Sequence, residues 1–321
     1  MNKRERVIAT VRGEKTDYTP SGFWHHFPAG FADGEKTVKI HMDFFRAADT
    51  DLWKVMNEHL LPNLHITSPE QWNHVKPFDK KADFITKQVE LVKRVAEEVN
   101  GEAVLLATVH GTVPSLYHAT GGTDLQSTDK LALVKHLHQN PKAMKTAINL
   151  VTEILAYLAE QCLAAGADGI FYASQGGESY TYTDEEYREY ITPSEKEILK
   201  ACSGKKAFNM LHMCKDNNRL ERYYDYDCEA VNWGVYAGNP SLEEGRKIFP
   251  DKVILGGLDD RDGVLVNGTQ EEIEKAVFEI LDHMGRRNFM LGSDCTLPNE
   301  IDPKRVRMVV EASKKYAKIN G

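Results

Sequence analysis

Eight short apolar segments alternate with longer amphipathic segments along the chain, and this alternation constrains the fold more than any other feature. Strictly alternating strands and helices predict parallel strand pairing with right-handed crossovers. Eight such units predict a closed (β/α)8 TIM barrel within α/β architecture, with a doubly wound open sheet as the alternative. The predicted strands are Tyr18–Trp24, Asp51–Met56, Ala103–Val109, Gly169–Ala173, Ala207–Leu211, Ala230–Val235, Val253–Leu258 and Asn288–Leu291.

The segments between the strands carry helical signals. Apolar residues in Thr86–Asn100 recur at helical spacing, and Thr269 three residues before Glu272 predicts a capping box. We predict one domain over residues 1–321, with a helical extension before the first strand. The predicted helices are Asn2–Arg12, Thr86–Asn100, Pro141–Ala165, Asp184–Cys202, Pro240–Phe249, Thr269–Gly285 and Pro303–Lys318.

The composition of the chain limits which classes of binding partner are expected. The formal net charge is −8, with acidic and basic residues interleaved, which argues against nucleic acid as a partner. No run approaches the roughly 20 apolar residues that span a bilayer, so no membrane partner is expected. The charged N-terminus lacks the apolar core of a signal peptide, so we expect a cytoplasmic protein. No G-x-G-x-x-G follows the first strand, which leaves a dinucleotide site unsupported.

A pattern of histidine and cysteine carries the strongest chemical signal. The chain has five cysteines at irregular spacing, which does not suggest a disulfide framework. His212 and Cys214 follow one predicted strand and, two residues apart, would face the same side. Cys295 follows the last strand, and both strand ends lie at the catalytic face of a barrel. One nitrogen and two sulfurs suit zinc with an open fourth position. The alternative is three unrelated, buried residues.

Two carboxylates are candidates for catalysis. Glu178 follows the fourth strand and would be a fourth zinc ligand, a general base or a solvated loop residue. Asp294 precedes Cys295 and would orient a ligand histidine, since such histidines usually donate their second N–H to an acceptor. A turn-forming role is the alternative for Asp294.

Further residues near the strand ends are candidates for binding substrate, each with core packing or loop solvation as the alternative. Three cysteines away from the predicted centre, Cys162, Cys202 and Cys228, are interpreted as structural. The substrate-binding candidates are Trp24, His25, His110, Tyr172, Asn232 and Asp259.

Several segments together resemble the uroporphyrinogen decarboxylase superfamily over nearly the whole chain. The resemblance implies a TIM barrel. It is carried by NKRERVIATVRGEKTDYTP, AAGADGIFYASQGGES, EEYREYITPSEKEIL, CEAVNWGV, VILGGLDDRDGVLVNGTQEEIEKAVFEIL and FMLGSDCTLPNEIDPKRVRMVVEA.

One branch of that superfamily, the methylcobamide:coenzyme M methyltransferases, carries H-x-C and a distant cysteine. His212, Cys214 and Cys295 match that pattern. The match implies a zinc ion that activates a small-molecule thiol, and a separate corrinoid protein as methyl donor. The expected activity is therefore methyl transfer between a corrinoid and a thiol or similar acceptor.

The chain departs from a true decarboxylase at two places. SGFWHHFPAGF, after the first strand, holds no arginine or lysine to clamp substrate carboxylates, and Asn57 stands near the position of the family's catalytic aspartate. Decarboxylation of a tetrapyrrole is nevertheless the second hypothesis. The third is a non-catalytic corrinoid- or tetrapyrrole-binding module with a structural zinc.

Overall fold

Eight parallel strands close into a barrel in a computed structural model that describes residues 1–28, 30–121, 131–204 and 208–320. They pair in chain order, and β1 also pairs with β8, which confirms the closed barrel and eliminates the open sheet. The strands are β1 (Ser21–Gly22), β2 (Leu52–Val55), β3 (Val104–His110), β4 (Gly169–Ser174), β5 (Met210–Met213), β6 (Ala230–Trp233), β7 (Val253–Leu258) and β8 (Phe289–Ser293).

Two strand boundaries differ from the prediction in ways that affect the site. The strand predicted over Ala207–Leu211 instead runs over Met210–Met213, and Ala207 lies outside the described residues. His212 is therefore inside β5 rather than beyond its end. The last strand starts one residue late because Asn288 has a left-handed φ of 52°.

Helices cover the outside of the barrel. Every predicted helix is found within a few residues of its predicted bounds, but Gly34–Ala48, Thr112–Ala119, Leu131–Gln139 and the short Val264–Asn267 were not predicted. The helices are α1 (Lys3–Val11), α2 (Gly34–Ala48), α3 (Asp83–Val99), α4 (Thr112–Ala119), α5 (Leu131–Gln139), α6 (Pro141–Ala164), α7 (Asp184–Glu186), α8 (Thr192–Cys202), α9 (Leu242–Ile248), α10 (Val264–Asn267), α11 (Gln270–Met284) and α12 (Pro303–Asn320), with 3-10 turns at Pro69–His74 and Leu220–Tyr223.

The helix predicted over Asp184–Cys202 is interrupted. A π-helical turn, Tyr187–Ile191, separates α7 from α8. Pro193 lies in the first turn of α8 and has no N–H to donate to the preceding turn. Such wide turns are frequent at functional sites, and this one carries Tyr187 into a buried polar network described below.

The apolar core has two layers, as the alternation of strand side chains requires. Leu52, Leu106, Phe171 and Met210 fill the barrel interior, together with Val7 from α1, which closes the end opposite the catalytic face. The other side chains of the strands pack outward against the helices.

One helix, Pro141–Ala164, is long and apolar enough to cross a membrane, which the sequence analysis had not anticipated. In the structure 56% of its most apolar stretch is buried inside the protein. It packs against α8, α4 and α3 in the outer layer of the barrel.

Candidate metal centre

The three candidate metal ligands meet at the catalytic face of the barrel. His212 Nε2 lies 3.4 Å from Cys295 Sγ, and the ligand atoms of His212, Cys214 and Cys295 all lie within 4.8 Å of one another. Cys214 comes directly after β5, where its N–H donates to the carbonyl of Ser174 on β4. Met213, between the two β5 ligands, points outward into the helix layer, as the two-residue spacing predicted.

The imidazole of His212 is oriented by Asn232. The register of β5 against β6 places these residues opposite each other, and His212 Nδ1 lies 2.6 Å from Asn232 Oδ1. The Asn232 amide group donates to the carbonyls of Leu255 and Ser293, so its oxygen must face the imidazole. The Nδ1 nitrogen therefore carries the proton, and Nε2 presents its lone pair towards the two sulfurs.

This arrangement corrects two predictions. Asn232 was expected to bind substrate, but its side chain is fully buried and already makes three hydrogen bonds within the protein. Asp294 was expected to orient the histidine, but its Oδ2 accepts from the Tyr236 N–H instead. Asn232 performs the orienting role because it lies on the strand next to β5.

The two sulfurs are close enough to affect each other. A hydrogen bond from the Cys214 thiol and the neighbouring His212 imidazole hold the pKa of Cys295 well below its usual value, against burial, which raises it. Two of the cysteines interpreted as structural show the opposite effect. Burial raises the pKa of Cys162, and it raises the pKa of Cys228 to about 11. Of these three cysteines, Cys295 is therefore the one whose surroundings favour the thiolate.

A cavity of about 620 Å³ opens above the three candidate ligands. Its wall also contains Tyr180, Asp260 and Asp294. Burial raises the pKa of Asp294 to about 7, and burial together with nearby Cys295 raises the pKa of Asp260 to about 6. The cavity therefore places two carboxyl groups that exchange protons near neutral pH beside the thiols.

Glu178 lies apart from the three ligands. Its side chain is fully buried rather than solvated, and its backbone pairs with Asn218 in an isolated bridge. Among the described residues, the group able to surround one ion contains His212, Cys214 and Cys295 but not Glu178. The interpretation of Glu178 as a fourth ligand is thus unsupported, whereas a role as general base stays a prediction.

Two of the predicted substrate contacts point away from the cavity. The Tyr172 side chain lies outside the barrel, where its hydroxyl accepts from the Thr112 N–H. The His25 ring packs between Phe27 and Phe44, and its Nδ1 bonds the His26 carbonyl. Both residues stabilise the contact between strands and helices.

The structure also gives Asp259, predicted to bind substrate, a different role. One of its carboxylate oxygens accepts from the backbone N–H groups of Arg261 and Asp262, which makes it a turn residue. The next residue, Asp260, is the one that reaches the cavity, where it pairs with Arg261.

Trp24 faces the barrel interior beside Lys54, and the sequence analysis missed both this lysine and Glu58. Lys54 of β2 is buried with its ammonium over the rings of Trp24 and Phe171. The charges of Glu58, Lys54 and His110 act on one another, and burial lowers the pKa of His110 to about 3. Asn57 bonds the Thr108 carbonyl and the His59 N–H, and Glu58 is the first carboxylate in the chain after β2. Substrate contact by Trp24 and His110 stays a prediction.

A second missed feature supports the site from outside the barrel. The fully buried carboxylate of Glu195, on α8, accepts hydrogen bonds from Ser174, Tyr187 and Tyr226. Burial raises the pKa of Glu195 to about 7. Because the Ser174 carbonyl also holds the Cys214 N–H, this network fixes the end of β4 beside the candidate ligands.

A closed parallel barrel with a histidine, two thiols and carboxyl groups at its C-terminal strand ends is the arrangement of a barrel enzyme. The family model described as Uroporphyrinogen decarboxylase (URO-D) matches residues 55–316. The chain belongs to this family.

One relative carries the same family name, and two solved structures have a similar fold. The chain is 25% identical over 263 residues to a uroporphyrinogen decarboxylase of Rickettsia felis, covering 77% of this chain and 72% of that protein. Its fold is similar to that of a methyltransferase from Methanosarcina mazei, with a TM-score of 0.78, 14% identity and coverage of 98% and 99% of the two chains. A B12-independent methionine synthase from Shewanella sp. W3-18-1 gives a TM-score of 0.60 at 12% identity, covering 94% and 97%.

Proposed function

We propose that this protein is a zinc-dependent methyltransferase that moves a methyl group between a corrinoid and a thiol acceptor. The observation that carries the proposal is the convergence of His212 Nε2 and the sulfurs of Cys214 and Cys295 within 4.8 Å. Family membership alone does not separate methyl transfer from decarboxylation, whereas a paired thiol centre has a direct use in the first reaction.

The donor set fits zinc. Zinc binds cysteine sulfur at about 2.3 Å and histidine nitrogen at about 2.0 Å, usually in a tetrahedron, and catalytic sites leave one position open. His212, Cys214 and Cys295 would supply three ligands, and the cavity above them leaves room for a substrate. When bound, zinc would lower the pKa of an acceptor thiol so that the thiolate is available at neutral pH.

The chain's own residues prepare the site for that role. Asn232 holds the His212 ring so that Nε2, the nitrogen that would bind a metal, faces the two sulfurs. The buried Asp294 carboxyl group, with its pKa raised to about 7, stands in the cavity wall where a proton from the acceptor thiol can be received. Methyl transfer would then form a sulfur–carbon bond while the cobalt–carbon bond of the donor breaks, and the bonding electron pair would stay on cobalt.

The methyl donor in this proposal is methylcobalamin on a separate corrinoid protein, and the acceptor is a small-molecule thiol. The rim of the cavity exposes Tyr180, whose side chain is 53% accessible, at the face that such a partner would approach. The resemblance in H-x-C spacing supports the corrinoid donor.

Metal analysis combined with a methylcobalamin assay tests the proposal. The purified protein should bind about one zinc per chain, and Cys214→Ser and Cys295→Ser should each lose zinc and thiol-dependent demethylation of methylcobalamin. Cys228→Ser, a buried cysteine away from the centre, is the matched control and should keep both. Full activity in metal-free, folded protein would refute the proposal.

Decarboxylation of a uroporphyrinogen-like tetrapyrrole is the second candidate. The specific observation in its favour is the family match, together with Glu58, a carboxylate placed after β2. This reaction needs no metal, so formation of coproporphyrinogen by protein stripped of zinc would favour it over methyl transfer.

A further inference from the structure

A groove of about 760 Å³ lies on the outside of the barrel between α9 and α11. Its floor consists of half-buried apolar side chains that pack against the core, namely Val235, Val264, Ala276, Ile280 and Met284. The helix α9 has seven residues and α11 has fifteen, which correspond to about 10 and 22 Å of helix. Because α9 is too short to cover α11, part of this apolar floor stays accessible.

The rim of the groove is acidic. Within the described ranges, its lining contains no lysine or arginine but four carboxylates, those of Glu243, Glu244, Asp259 and Glu279. The whole chain has 48 acidic and 40 basic residues, so four carboxylates without a cation are a local excess. Glu279 pairs with Lys275 at 3.7 Å, but both side chains are exposed and such a pair is weak. The negative charge of the rim is therefore available to a binding partner.

Tyr236 adds an exposed aromatic ring to the groove. Its side chain is 64% exposed although it adjoins the apolar floor. Tyrosines at the centre of apolar surfaces are enriched among the residues that dominate the binding energy of protein interfaces. The groove thus combines an apolar floor, an aromatic anchor and a charged rim, which are the parts of a protein-binding surface.

The groove shares two loops with the cavity of the candidate metal centre. After β6, Tyr236 lines the groove and Ala237 lines the cavity; after β7, Asp259 lines the groove and Asp260 lines the cavity. The Tyr236 N–H also donates to Asp294 in the cavity wall. A molecule in the groove would therefore rest against the same loops that form the wall of the cavity.

We propose that this groove is the docking site for a partner protein that presents an amphipathic helix, with an apolar face for the floor and lysine or arginine side chains for the rim. An apolar groove accepts an amphipathic helix by burying its apolar face, and opposite charges fix the orientation of the two partners. A second copy of this chain is a poor occupant, because a two-fold interface would bring the acidic rim against itself. The inference goes beyond the proposed function and does not depend on the metal chemistry.

Peptide binding to the whole protein tests the docking site. The probe is a fluorescein-labelled synthetic helix of about 15 residues with leucine on one face and lysine on the other, and its counterpart carries glutamate in place of lysine. In fluorescence anisotropy the lysine peptide should bind at least about tenfold more tightly than the glutamate peptide. Its affinity should fall as the salt concentration rises, because salt screens the rim charges.

Two tyrosines of equal exposure show whether the peptide binds in the groove. Tyr236→Ser should weaken binding of the lysine peptide by at least about fivefold, since it removes the aromatic anchor. Tyr224→Ser is the matched control, because Tyr224 is also 64% exposed but lies outside the groove. It should leave the affinity unchanged.

Charge reversal tests the rim in the same way. Glu243→Lys combined with Glu279→Lys should weaken binding of the lysine peptide by at least about tenfold. Glu97→Lys combined with Glu98→Lys, at two exposed residues of α3, makes the same change in net charge away from the groove and should alter the affinity by less than about twofold.

The contrary results are equally definite. Equal binding of the two peptides by the wild-type protein, or no binding of the lysine peptide up to about 0.1 mM, would overturn the proposal without any variant. Equal losses in the groove variants and their controls would also overturn it. Self-association of the wild-type protein in analytical ultracentrifugation that Tyr236→Ser abolishes would assign the groove to a second copy of the chain instead.

Discussion

His212 Nδ1 and Asn232 Oδ1 lie 2.6 Å apart across the β5–β6 pair, and this single contact decides which imidazole nitrogen faces the two thiols. Without the Asn232 oxygen, the ring is free to rotate and to place its proton on Nε2. The consequence is measurable as metal affinity.

We expect Asn232→Ala to weaken zinc binding by about 10- to 100-fold, the usual cost of removing the acceptor behind a metal-bound histidine. Competition with a chromogenic chelator measures the affinity. Asn57→Ala is the matched control, because Asn57 is a buried amide that bonds main-chain groups after β2. Zinc affinity in Asn232→Ala equal to that of the control would contradict the orienting role.

Glu195 should make stability depend on pH. Its pKa is raised to about 7 in the folded protein by burial, against an ordinary value of 4.5, so protonation favours the folded state. The contribution is complete below about pH 4.5 and is lost as the pH rises through 7, by up to about 3 kcal/mol. Urea unfolding from pH 5 to 8 should show this fall, and Glu195→Gln should flatten it.

The control for Glu195 is its neighbour on the exposed side of α8. Glu197→Gln removes a carboxylate from the same helix without touching the tyrosine network, and its pH profile should match the wild type. If the free energy of unfolding of Glu195→Gln still falls with pH as in the wild type, a group other than Glu195 causes the pH dependence.

Gly177 has no room for a side chain. A Cβ there would collide with the hydroxyl of Tyr223 and lie 2.7 Å from Asn218 Oδ1. Tyr223 is fully buried and hydrogen-bonded to Tyr187, so it cannot move aside. Gly177→Ala should therefore lower the free energy of unfolding by about 1–3 kcal/mol in urea titrations.

Gly256→Ala is the comparison for Gly177. Its Cβ would lie 3.5 Å from Leu242 Cδ2, an ordinary contact, so the loss in unfolding free energy should be clearly smaller. Equal losses for the two variants would mean that the collision with Tyr223 is relieved at little cost.

The start of α11 offers a test of local stability. The Thr269 hydroxyl accepts from the Glu272 N–H, and the Glu272 carboxylate accepts from the Thr269 N–H, which confirms the predicted capping box. Thr269→Ala should lower the free energy of unfolding by about 1 kcal/mol. Thr146→Ala, within α6, removes a hydroxyl without a cap and should change stability by less than about 0.5 kcal/mol.

The alternation of apolar and amphipathic segments was enough to predict the barrel, because each strand is buried on both faces. The helix Gly34–Ala48 was missed although its signal is present: Val38, His41, Met42 and Phe45 recur at helical spacing and are all buried. The interruption at Tyr187–Ile191 was missed although Pro193 indicates that a new helix starts there, and the wide turn itself also depends on the hydroxyl contacts of Tyr187 with other segments.

At the site, the candidate ligands could be predicted from the sequence, but their hydrogen-bond partners could not. The H-x-C spacing indicated His212 and Cys214, yet whether Asp294 or Asn232 bonds the imidazole depends on strand register, which lies outside local sequence. Lys54 was overlooked because a lysine in a short apolar segment is usually read as facing solvent. Only closure of the barrel makes its side of β2 an interior surface.

The candidate ligands come from β5 and β8 with support from β6, whereas Lys54 and His110 come from β2 and β3. Because the two groups of residues lie on different strands, each group can change during evolution without the other. The candidate ligands lie in β5 and directly after β5 and β8, so substitutions in the early strands leave the reactive centre in place. A lineage built on this plan can change positions such as 54 without rebuilding its chemistry.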